Sequence, residues 1–134
     1  MNANSQQTTA RELLTSGLDD WVHLYEVHAQ VARDNPHATT TQVQQKTLDT
    51  IRSLVEQGLF DIGDLGGPAG DFAAWTTPID ESIRRIADAY IGHFDDEAAW
   101  IWKFWLALTD RGRRAAEALR AGPTPEKPLD ALDS

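Results

Sequence analysis

The chain has 134 residues, of which 41% are hydrophobic and 25% charged, so it is one domain's worth of sequence with enough apolar side chains for a real core. Twelve Lys and Arg face 21 Asp and Glu, a formal net charge of −9 that favours solubility and works against binding a phosphate backbone. With no Cys, a disulfide framework, a thiolate metal site and a thiol nucleophile are all excluded.

Met1 to Gln7 is polar and low in complexity, and is expected to be a disordered N-terminus. A short helix follows from Thr9 to Ser16, ending at Gly17. Trp21, Leu24, Tyr25, His28 and Val31 recur at helical spacing and predict a helix from Asp19 to Arg33, with acids at its start and Asn35-Pro36 stopping it. Val43, Thr47, Leu48, Ile51, Leu54 and Val55 predict a third helix over 41–57, with Thr39 and Gln42 as a capping box and Gly58 closing it. Leu59 to Leu65 reads as a strand, residues 66–70 as a loop, and Phe72 to Trp75 as a second short strand. Thr77-Pro78 then opens a helix carrying Ile79, Ile83, Ile86, Ala87, Tyr90 and Ile91 on one face, running to about His93.

Trp100 to Leu108 is ambiguous. On a period of two, Trp100, Trp102, Phe104, Leu106 and Leu108 share a face, whereas on a helical period Trp102, Trp105 and Leu106 align. Aromatic density favours strand. Thr109 then caps a last helix to Leu119, with Ala115, Ala116 and Leu119 facing inward. Residues 8–121 are expected to form the single folded domain and 122–134, with three prolines, a flexible tail. No stretch reads as a secretory signal or as a membrane span, so the expected compartment is the cytoplasm.

Chemistry is sparse. His23 and His28 are five apart and diverge on a helix, and Asp19 and His23 at four apart lack further ligands. Residues 66–70 are Gly-rich but have neither a following Lys-Ser/Thr nor dinucleotide spacing. No serine sits in an elbow sequence. The expectation is a protein that is not an enzyme and carries no metal and no cofactor.

Charge is unevenly placed instead. From Asp61 to Glu97 nine acids stand against Arg84 and Arg85, a local net of −7. Asp61, Asp64, Asp71, Asp95, Asp96 and Glu97 are the candidate protein-binding residues, set against simple solvation of the surface. Arg111, Arg113 and Arg114, with Arg120, form a basic patch whose plainest role is pairing with the acidic middle of the same chain. The five Trp are core residues or interface anchors, and a homodimer is compatible with the second role.

Two segments resemble winged-helix regulators: IRSLVEQGLFDIGDL at 51–65, similar to the end of a recognition helix and the first wing strand, and LALTDRGRRAAEAL at 106–119, similar to a wing strand ending in Leu-Thr-x-x-Gly before a helix. The wider span 18–119 resembles an uncharacterised family of small acidic actinobacterial proteins through Trp21, LVEQGLFDIGDL, Phe72, Trp75, an isoleucine helix, Trp102, Thr109 and Gly112. What the resemblance implies is an α+β, mostly helical fold with two or three short strands, winged-helix-like with an inserted helix in the wing region. The third helix is not basic, since Asp49 and Glu56 offset Lys46 and Arg52. The expected function is therefore non-catalytic protein binding, as in an immunity or antitoxin protein that neutralises a basic toxin. A DNA-binding regulator is the alternative, nucleic acid and membrane being disfavoured partners.

Overall fold

The structure, a computed structural model, describes residues 3–66 and 70–122. The expected Pro-rich tail, Met1, Asn2 and the centre of the Gly-rich loop lie outside the described residues. Among the described residues five helices pack with a small antiparallel sheet: α1 Ala3–Asp19, α2 Leu24–Asp34, α3 Thr40–Glu56, α4 Ile79–Tyr90 and α5 Asp110–Arg120. The strands are β1 Val22–His23, β2 Phe60–Asp64, β3 Ala73–Ala74 and β4 Trp105–Leu108, in the spatial order β1-β4-β2-β3.

Two expectations at the N-terminal end are corrected. The chain is already helical from Ala3, and within the stretch expected to be disordered Ser5 donates to Oδ1 of Asn35, the C-cap of α2, at 3.2 Å, while farther along Thr9 donates to the Asp34 carboxylate at 2.6 Å. The helix also runs past Gly17, whose bare Cα sits where an added Cβ would lie 3.0 Å from Leu108. Gly17 serves close packing rather than a helix end.

The expected 19–33 helix is broken at its start. Asp19 belongs to α1, and Val22 and His23 leave helical geometry to pair with Leu106 and Trp105 of β4. His23 then caps α2, its Nδ1 accepting from the Glu26 N–H at 3.2 Å. The capping box predicted for α3 is present in both directions. At α4 the cap shifts by one residue: Pro78 occupies the N-cap position, and Thr77 hydrogen-bonds the Ser82 hydroxyl instead.

The ambiguous segment divides. Glu97–Ala99 is a 3-10 turn, further turns carry the chain to Lys103, and the strand begins only at Trp105. Trp100 is buried against Tyr90 and stacked on Phe94, with its indole N–H donating to the Phe94 carbonyl at 3.0 Å. Trp102, expected on the same face as Trp100, points outward and is 62% exposed.

Register explains which sheet face is inside. Opposite residues in an antiparallel pair share a face. Val22, Leu106 and Ile62 align across three strands, and with Phe60 they are buried. Leu24, Val27, Val31, Ile51, Leu54 and Ile86 from the helices complete that core. His23, Trp105, Gly63 and Ala74 align on the opposite face. At the far end α5 packs on α1, with Ala116 fully buried, Leu119 partly outside and Arg120 bonded to Asp19 and the Thr15 carbonyl.

Candidate functional site

The six acidic candidates fall in three places. Asp61 and Asp64 lie on β2, Asp71 just before β3, and Asp95, Asp96 and Glu97 in the turns after α4. Five of them are exposed. Asp64 is half-buried and has a structural partner set: it accepts the Trp75 indole N–H at 3.2 Å and the Gly66 N–H at 3.1 Å. None of the six is in an ion pair among the described residues.

The basic patch is not neutralised by that acidic stretch. Arg111, Arg113 and Arg114 are exposed on the first turns of α5 and form no ion pair among the described residues. Arg120 pairs with Asp19 of α1 at 3.0 Å. The pairing that does reach the acidic stretch comes from α3, where Arg52 bonds Asp80 at 2.6 Å and lies 3.8 Å from Glu56.

Asp64 also borders an open cleft of about 610 Å³ between the sheet end and α4. Arg85 lies over the Trp75 ring at 4.0 Å, a cation–π contact on the cleft wall. Asp88, His93 and Lys103 complete a lining of mixed charge. Among the described residues no three His, Cys, Asp or Glu side chains gather as a metal set.

The most distinctive surface is aromatic, and sequence periodicity hid it. On the outer sheet face the His23 ring lies 4.5 Å from that of Trp102 and 5.6 Å from that of Trp105. Tyr25, expected inward on the α2 stripe, stacks on His23 at 6.4 Å and is 45% exposed. Trp21, 38% exposed, lies 6.2 Å from Phe72. Phe72 in turn covers Gly63, where an added Cβ would stand 2.7 Å from its ring. Asp61 shares this face, two residues from Gly63 and opposite Ala107. The signal in the sequence was the aromatic density of residues 100–105 together with β1, a strand too short to read without its partner.

Inside the same region His28 Nδ1 and the Tyr90 hydroxyl are 2.5 Å apart, with Phe94 and Trp100 packed on the imidazole. Burial raises the Tyr90 phenol far above its ordinary range, partly opposed by a hydrogen bond with Thr47, so the hydroxyl stays protonated, and the tautomer of His28 sets which of the two donates in their shared hydrogen bond. Burial also holds His28 below the usual imidazole range. His23 is lowered for the same reason, against the pull of Glu26 and Asp20. Compared with family models, with curated proteins and with solved structures, the chain matches none.

Proposed function

We propose that the protein is a non-catalytic binding protein whose acidic surface engages a basic protein partner, as an immunity or antitoxin protein engages a toxin. One observation carries this reading: of the nine acids between Asp61 and Glu97, only Asp80 has an ion-pair partner among the described residues. Unneutralised carboxylates raise the rate at which a basic partner is drawn in, an effect that weakens with salt. The test uses a basic protein captured by the full chain and then identified. Association rates are compared for wild type and the variant Asp95→Asn/Asp96→Asn/Glu97→Gln at low and high salt. The expected result is slower association and a flatter salt response in the variant, with folding stability unchanged. Identical rates at both salts would return the triplet to simple solvation.

A second reading has its own support in chain order. Helix, strand, two helices, then β2 and β4 with β1 beside β4 resembles the order of a winged-helix regulator, with β3 and α4 lying between the two strands likened to the wing. In that reading α3 enters the major groove. It ranks second because α4 packs on α3, and Arg52, one of only two cations on that helix, is held by Asp80.

A further inference from the structure

The outer sheet face carries large aromatic rings in mutual contact, of which Tyr25 and Trp102 are exposed. Tyr25, His23, Trp102 and Trp105 form one connected row, with Trp102 and Tyr25 among the most exposed large side chains described. The Trp102 backbone carbonyl accepts the Trp105 indole N–H at 2.9 Å, which holds the Trp105 ring in place beside Trp102. Rings held this way present π-faces at little cost in side-chain entropy.

Two carboxylates, Asp20 and Glu26, lie close enough to His23 to act on its charge. Asp20 is hydrogen-bonded to the Trp21 N–H, and Glu26 is fixed by the Ser16 hydroxyl one turn from His23. Asp61 lies on the same sheet face. Among the described residues no cation covers these rings: the one cation–π contact is Arg85 on Trp75, and Lys103 lines the cleft on that other side.

We propose that this face, centred on Trp102, His23 and Tyr25, seats arginine side chains of a basic protein partner. The guanidinium planes lie on the exposed rings while Asp20, Glu26 and Asp61 accept their N–H groups. Arginine fits better than lysine, because a planar guanidinium stacks on a ring and meets carboxylates with a fixed fork of donors. The chain shows the geometry itself where Arg85 lies 4.0 Å above Trp75. Charge selects this occupant over a second copy, since two chains of net −9 repel as they approach. The inference rests on the proposed engagement of a basic partner and adds where, and through which side chain, that partner docks.

The experiment titrates the full chain with a nona-arginine and a nona-lysine peptide at low and high salt, followed by calorimetry. It is repeated with Trp102→Leu and Tyr25→Leu, both at exposed positions and both checked for native circular dichroism. The expected result is salt-sensitive binding in which the arginine peptide is preferred. Each variant should weaken the arginine peptide by about 5–10-fold, within the range of a single cation–π contact, with the salt slope unchanged. Equal, salt-sensitive affinity for both peptides that ignores Trp102 and Tyr25 would overturn the arginine seat and leave the acidic docking standing. Absence of binding to either peptide at low salt would remove both. A dimer in solution that Trp102→Leu converts to monomer would overturn the inference in favour of a second copy on this face.

Discussion

Ile86 lies in the middle of α4 and is 1% exposed, as its place in the isoleucine stripe predicted. Truncating it opens a cavity that its rigid neighbours fill only in part. Ile86→Ala should therefore cost about 2–5 kcal/mol, measured by urea unfolding, and a loss under about 0.5 kcal/mol would place the side chain outside the core. His28 makes a different prediction from similar surroundings. Its folded-state pKa is held down by burial, while the unfolded chain takes up the proton near the ordinary pH of about 6.5. Above that pH neither state is protonated and stability is whole. As pH falls through that value the unfolded state gains the proton first, so stability drops until the folded pKa is passed and then levels off. Unfolding midpoints at pH 7.5 and 5.5 should differ by less in His28→Gln than in wild type; an equal difference in both would show that other groups set the slope.

At the scale of elements, local signals were legible and long-range ones were not. The Thr39–Gln42 box and the Thr109 cap each involve residues three apart, and both are formed. β1 is invisible alone, because two residues become a strand only through Leu106 and Trp105, more than 80 positions away. The same pairing ends the alternation at Trp105, which is why Trp102 faces outward although a period of two set it beside Trp100. The candidate acids were readable as a charge imbalance, whereas the aromatic row needed three elements brought together. The Leu-Thr-x-x-Gly segment gains a physical meaning here. Thr109 donates its hydroxyl to the Gly58 carbonyl at 2.5 Å and accepts from Gly112 at 3.0 Å, pinning α5 to the start of β2. An added Cβ at Gly112 would stand 1.9 Å from the Leu59 carbonyl oxygen. Gly112→Ala is expected to lose about 1–3 kcal/mol or more through this overpacking, although Ala is the better helix former. Stabilisation of the variant in thermal melts would mean that α5 sits farther from Leu59.

Across the whole molecule, the net charge and the packing of α4 on α3 point the same way. Duplex DNA should bind no tighter than the non-specific range of about 10⁻⁴–10⁻⁶ M at physiological salt. A nanomolar, sequence-selective gel shift would promote the regulator reading over protein binding. Among the described residues no helix is long and apolar enough to cross a membrane. In the proposed reading the exposed aromatic row and the unneutralised acids act on the same partner, and Asp61 belongs to both.

The docking of α5 on α1 also bears on how the fold is reached. Arg120 meets Thr15 and Asp19 across separations of 105 and 101 residues. The contacts between α1 and α5 form only once nearly the whole described chain is in place. Contacts of such long sequence separation require a large loop to close before they return any stabilisation, which slows folding. The packing of α5 on α1 is thus expected to be a late step, whereas α1 can dock on α2 across a much shorter stretch of chain.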